Sequence, residues 1–462
     1  MQAPIQRLLT ASRISLVATI ALAAGAALAQ DQRTVAEPVM PPACAVLLAQ
    51  LPTANGALAA SDEAKLDTER IQKAINGCGK GKAVELKPEG EKTAFLSGPL
   101  VLRTGVTLLV DNGATLFGSR NPADYETHPG SCGIVNNKGR ECRPLIGAMG
   151  ARDAAVMGDG VIDGRGGSTL LGGPEKGKTW WQLAEQARAG GRQQCPEIMS
   201  IDRSDNFTLY RITLKNSPNF HVMYRGGNGF TAWGVKIDTP KNARNTDGID
   251  PSSAKNVTIT HSWISTGDDN VAIKAGSDGP MTNVTISHNH FYYGHGVSIG
   301  SETNGGASAI RVEDLSIDGA DNGIRIKSNP SRGGLVHDVK YSDVCLRNVK
   351  NPILMDTNYS YAGTATNLYP VFTGIVLRDV RVEGGGRITL NGLDAKHRLG
   401  IQLDGVMLDA PQSYKMVARD ADVKLGPGPV NFTPSGDGVV VTGSAGQGKL
   451  KGCEGMLVAF PR

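Results

Sequence analysis

The chain lacks the cysteine spacing from which small zinc sites are built. Its seven cysteines, at positions 44, 78, 132, 142, 195, 345 and 453, include no CxxC pair, which argues against a zinc ribbon or finger. It also lacks a strong charge of either sign. A net charge of +4 gives no argument for a nucleic-acid partner, although clustered cations can still attract an acidic substrate. Beyond the amino-terminal segment no apolar run is long enough to span a bilayer. No helical pattern recurs between the strand-like segments, which excludes a βαβ fold.

What is present begins with Arg7 and Arg13 ahead of an apolar run from Ile14, followed by Ala27 and Ala29 in an A-x-A site. This is the pattern of a secretory signal peptide, residues 1–29, cleaved after Ala29. Loss of its two arginines lowers the net charge to +2, and the product is expected to be secreted, without a membrane anchor, and monomeric. In an oxidising compartment the cysteines should pair, leaving one over. Cys132 and Cys142, which bracket a polar Gly-rich loop, are the first expected bridge, and Cys44 to Cys78 the second. Residues 30–60, rich in Pro and Ala without periodicity, read as a leader or covering segment ahead of one catalytic domain, residues 61–462.

The 59 glycines and many Asn, Thr, Val and Ile residues suit short strands joined by tight turns, since Gly and Asn accept left-handed backbone angles. Strand-like segments start at Asn206, Gly229, Asn256, Asn283, Ala309, Leu335 and Phe372. They recur about every 22 to 28 residues, apart from a longer insertion near Thr357 to Val371, and an Asn-Val-Thr-Ile phrase repeats. That period fits one coil of three short strands with turns. The expected fold is all-β: a right-handed parallel β-helix, a solenoid of stacked coils. Asp67 reads as the N-cap of a short helix, with Ile71, Ala74, Ile75 and Cys78 on one face, capping the first coil. A second helix is expected over Thr179 to Ala189.

Stacking puts residues of equal phase in a column, with coils about 4.8 Å apart. At coil intervals the sequence supplies Asp247 in NTDGID, Asp268 and Asp269 in STGDDNVAIK, His295 in GHG, and Arg325 and Lys327 in RIK. Alternation about Ile324 and Ile326 sends Arg325 and Lys327 to the outer face together. Strict alternation about Val271 and Ile273 would bury Asp269, at a cost of several kcal/mol unpaired, so Gly267 is expected to bend the strand and free both acids. Gly294 and Gly296 should do the same for His295. Three carboxylates, a histidine and two cations on one face suit glycosidic hydrolysis in an acidic sugar polymer: one carboxyl, kept protonated by like-charged neighbours, donates to the leaving oxygen, and the others activate water.

Four motifs in this order, NTD at 245–247, GDD at 267–269, GHGVSIGS at 294–301 and RIK at 325–327, resemble glycoside hydrolase family 28, the polygalacturonases, with the bacterial endo-acting enzymes most similar. The likeness extends through FLSGPLVLRTGVTLLVDNGATLFGS, NSPNFH and ILMDTNY, over roughly residues 62 to 410. It implies inverting hydrolysis of polygalacturonate, the polymer of pectin, without metal or cofactor. Asp268 would be the general acid, Asp247 and Asp269 would hold and activate water, and His295 would tune the acid. Arg325 and Lys327 would bind substrate carboxylates, and Tyr359 would line the sugar subsites.

Singly, each motif has a duller meaning. Asp247-Gly248 alone would be a turn, and GDD alone a solvated loop or a calcium ligand pair. Asp250 reads as structural, and Trp180 and Trp181 as helix packing. The rival enzyme is a calcium-dependent pectate lyase on the same fold, and the rival class a non-catalytic β-helix adhesin, disfavoured because strand signals thin out after Val441 with no membrane barrel. Exo action is the alternative within the hydrolases, with 121–143 and 164–194 as candidate groove walls.

Overall fold

The computed structural model describes residues 30–360, 366–449 and 451–461; the expected signal peptide lies outside them. Short strands wind into a right-handed parallel β-helix. One wall is an 11-stranded parallel sheet that includes Met199–Asp202, Val222–Arg225, Ile249–Ser252, Val271–Ile273, Val297–Ile299, Asn322–Lys327 and Asn351–Asp356. The rest is a larger sheet bent in each coil, as between Phe207–Tyr210 and Thr213–Lys215, where Arg211 takes a φ of 62°.

Register explains the repeat. Leu209, Ala232, Ile259, Ile286, Val312, Tyr341, Leu377 and Leu403 are successive partners in one inward column. On the opposite wall Val222, Ile249, Val271, Val297, Ile324 and Ile353 form another. Full burial of each large side chain contributes about 1.5–3 kcal/mol, so the core runs the length of the solenoid. The repeated Asn-Val-Thr-Ile phrase carries its own turn: Asn256 and Asn283 are left-handed at φ 57° and 60°. Asn283 Nδ2 donates to Asn256 Oδ1 at 3.3 Å, and Asn256 Nδ2 to Asn228 Oδ1 at 2.8 Å. The amide satisfies a neighbour while the backbone turns.

The first helix spans Thr68–Gly77 and buries Ile71 and Ile75 in the core. Asp67 stands at its N-cap without capping it; the carboxylate instead accepts from Leu96 N at 3.2 Å and from Arg70 Nε at 3.0 Å. Before the helix, Ala43–Leu48 pairs in parallel with Lys82–Lys87 and extends the sheet past the first coil. The second helix is Trp180–Gln186, closed by a reciprocal Thr179–Gln182 capping box and continued by a 3-10 turn to Ala189. Trp180 is buried edge-on to Tyr125, and Trp181 Nε1 donates to Ser217 O at 2.9 Å, so both serve packing.

Both expected disulfides form, Cys44–Cys78 and Cys132–Cys142, and a third joins Cys345 to Cys453; Cys195 is free and buried. Among the described residues no helix is long and apolar enough to cross a membrane.

Candidate active site

The outer side of the 11-stranded wall is the floor of a cleft of about 1090 Å³, and Asp247, Asp268, Asp269, His295, Arg325, Lys327 and Tyr359 all line it. The wall loops proposed from sequence meet at its side: Val135–Asn136 pairs antiparallel with Arg192–Gln193. Arg140, Arg188, Arg192, Lys241, Arg244 and Arg332 also line the cleft, so basic groups outnumber acidic ones there. Such a cleft concentrates polyanions.

The acids do not belong to a bent strand. Trp263–Thr266 ends before Gly267, and Val271–Ile273 begins after Asn270. Both aspartates lie in the turn between, where strand alternation does not apply. Gly267 is required because a Cβ there would come within 2.0 Å of Ala243 O. Gly267 N donates to Thr246 Oγ1 at 3.0 Å, and Gly296 N to Asn270 Oδ1 at 2.8 Å, so backbone-to-side-chain bonds tie the NTD, GDDN and GHG turns to one another.

Arg325 and Lys327 do project outward from the core as alternation requires, yet they are buried, at 3 % and 7 % exposure. Asp269 buries them. Its Oδ1 accepts from Arg325 Nη1 at 3.1 Å and Ser298 Oγ at 2.7 Å, and its Oδ2 from Lys327 Nζ at 3.0 Å. Burial pushes the Asp269 carboxyl up, but Lys327, Arg325 and His295 outweigh it and hold it well below the ordinary range. Arg325 Nη2 donates to Tyr359 Oη at 3.1 Å, and both cations lie 5.3 Å from the centre of that ring.

His295 Nδ1 donates to Asp268 Oδ1 at 3.1 Å and lies 3.6 Å from Asp269 Oδ1. Burial pushes the imidazole down, but the bonds and charges of Asp268 and Asp269 raise it to about 9. The Asp268 carboxyl, pushed up by burial, is brought below its ordinary value by His295. The proton of this pair therefore rests on His295 in the unliganded protein. The carboxyl on which burial and like charge act most is Asp247: burial, Asp250 and Asp268 push it well above the usual range, and Lys274 opposes them. The like-charge effect expected from sequence thus falls on Asp247, while Asp268 is brought down by His295.

Asp247 is only 4 % exposed, and among the described residues its Oδ1 has no hydrogen-bond partner. His221 fixes its backbone: Nδ1 donates to Asp247 O at 2.9 Å while Nε2 accepts from Thr239 Oγ1 at 2.7 Å. Burial lowers this histidine to about 4, consistent with the neutral tautomer the two bonds require.

The donor set also bears on a metal. Asp268, Asp269 and His295 bring three ligand atoms within 4.8 Å of one another. Asp269, however, already spends both oxygens on fixed cations, and a calcium ion would face the charges of Arg325, Lys327 and His295. The residues do not fit a calcium site.

The model of glycosyl hydrolases family 28 matches residues 90–422. The chain belongs to this family. It is 44% identical over 399 residues to an endo-polygalacturonase of Pectobacterium carotovorum subsp. carotovorum, covering 86% of this chain and 94% of that one. It is 40% identical to a polygalacturonase of Ralstonia nicotianae, covering 97% and 96%. Among solved structures, a polygalacturonase from Erwinia carotovora ssp. carotovora superposes with a TM-score of 0.79 at 43% identity, over 85% of this chain and 99% of the other. The chain is thus a glycoside hydrolase of pectin, and polygalacturonate is the substrate its family implies.

Sequence reasoning missed three groups at the family 28 site. Ser298 was legible by alternation, since Val297 and Ile299 face the core. Lys274 follows Ile273 outward by the same rule. His221 closes the NSPNFH stretch of the likeness, but its role was not legible there, because its partners Thr239 and Asp247 lie on later turns of the chain.

Proposed function

We propose that this chain is a secreted endopolygalacturonase that hydrolyses internal α-1,4-galacturonosidic bonds with inversion, using no metal, after removal of a signal peptide ending at Ala29, and that it acts as a monomer with residues 61–462 as the catalytic domain. The observation that carries the reading is the joint arrangement of Asp247, Asp268, Asp269 and His295 beside buried Arg325 and Lys327 in a cation-rich cleft. Arg325, Lys327 and Tyr359 take the galacturonate at the cleavage point. Asp268 gives its proton to the leaving oxygen, and His295, which carries the proton of the pair beforehand, supplies it. Asp247 and Asp269 hold the attacking water, which adds to the anomeric carbon from the opposite face and gives its proton to the Asp247 carboxylate as the bond to the leaving oxygen breaks.

The test is mass spectrometry of early products from polygalacturonate with purified protein and excess chelator. Saturated oligomers of mixed length are expected. Saturated monomer or dimer alone would replace endo by exo action. Unsaturated ends that form only with added calcium would make the enzyme a lyase.

A further inference from the structure

Beside the catalytic aspartates lies a half-buried cation that the mechanism above does not use. Lys274 follows the core strand Val271–Ile273 and turns its ammonium into the cleft floor, where it pairs with Asp250 and lies 3.7 Å from Asp247 Oδ2. The Phe220 ring covers it, with Nζ 4.4 Å from the ring centre. Asp250 is fully buried on the strand that follows Asp247, and among the described residues its Oδ1 has no partner.

Two carboxylates thus share one ammonium. We propose that Lys274 and Asp250 are positioning residues that set the ionisation of Asp247: Lys274 holds it as the carboxylate that takes a proton from water, and Asp250 limits that hold by competing for the same cation. The proposal rests on Asp247 being a base, as argued above.

The surroundings leave Lys274 in this role alone. Asp250 faces Asp247 from its own strand, Asp268 and Asp269 from the turn before Val271, and His221 from the preceding coil, where it is neutral and bound to the Asp247 carbonyl. Arg325 and Lys327 pair with Asp269. Glu302 acts on the ammonium of Lys274 and adds to the negative side. With Asp247 buried and Phe220 against the ammonium, a pair at this distance is screened less than one in open solvent, and one charge changes a neighbour's ionisation substantially. The same reasoning revises Asp250 from a structural residue to one that tunes the site.

The experiment is the pH profile of kcat/KM on polygalacturonate for Lys274→Met, Asp250→Asn and Lys274→Arg, with circular dichroism as the check on folding. Lys274→Met should move the acid limb up by about 1 unit or more, and Asp250→Asn should move it down. Lys274→Arg should restore the wild-type limb. Merely structural roles would lower activity at every pH without opposite shifts. Unmoved acid limbs, or shifts of the same sign, would overturn the proposal, and Asp250→Asn decides it if Lys274→Met does not fold. Asp247→Asn separates this from the underlying reading: full turnover in that variant would overturn Asp247 as base, whereas an inactive Asp247→Asn with unmoved limbs in the others would overturn only the role of Lys274 and Asp250.

Discussion

A single proton, shared between Asp268 and His295, governs both chemistry and stability at this site. Removing the acid by Asp268→Asn should cut kcat by a factor on the order of 10²–10⁴ and leave the β-sheet circular dichroism unchanged. For His295 the sign follows from linkage. Its folded value, about 9, lies above its ordinary 6.5, so the imidazolium contributes stability fully below 6.5, and that contribution is lost as pH rises through about 9. The melting temperature of the wild type should therefore fall relative to His295→Gln between pH 6 and pH 9.5. A constant difference between the two proteins across that range would refute the assignment. Asp269 behaves in the opposite sense: Lys327→Ala should leave a buried carboxylate short of a partner, and kcat should fall together with a rise in KM.

At the scale of elements, the site is a property of turns that close three successive coils. The strands, the interval between coils and the outward direction of Arg325 and Lys327 were legible because alternation about Ile324 and Ile326 holds in a regular strand. The placement of Asp268 and Asp269 was not, since a turn between strands obeys no period and its shape depends on contacts such as Gly267 N to Thr246 Oγ1. The pairing of the two cations was invisible for a related reason: their partner is Asp269, two coils earlier in the chain. Gly296 offers a test of how much the turn matters. It has φ 64°, and a Cβ there would come within 2.1 Å of Gly323 O. The left-handed conformation alone costs a side chain about 1–2 kcal/mol, and the clash with backbone adds to it. Gly296→Ala should lower the melting temperature and, by displacing His295, reduce kcat further than the stability loss explains. Gly79→Ala, where a Cβ would meet nothing within 4 Å, is the control and should leave both unchanged.

Over the whole molecule, a solenoid has a weakness that the ends of this chain address. Each coil packs mainly on its neighbours, so stability is close to a sum of neighbour contacts and coils can fray from either end. Residues 31–40 cross that direction of weakness on the outside of the larger sheet. Asp31 N donates to Thr285 Oγ1 at 2.9 Å, and Thr258 Oγ1 donates to Asp31 Oδ2 at 2.8 Å. Arg33 Nη2 donates to Phe230 O at 2.8 Å, Tyr210 Oη to Glu37 Oε1 at 2.7 Å, and Met40 packs on Met157 and Tyr210. One short segment thus ties together coils that do not touch each other, while the Cys345–Cys453 bridge fastens the other end across 108 residues. Asp31 is central to the tie because it is 6 % exposed and also holds Arg33 through both carboxylate oxygens. Asp31→Ala removes the acceptor of Thr258 Oγ1 and the carboxylate partner of Arg33, at a cost of about 1–3 kcal/mol. Its effect should appear as a lower and broader calorimetric transition, with kcat at 25 °C unchanged because the cleft lies on the other wall. A transition lowered without broadening would mean that the segment adds stability but does not couple the coils.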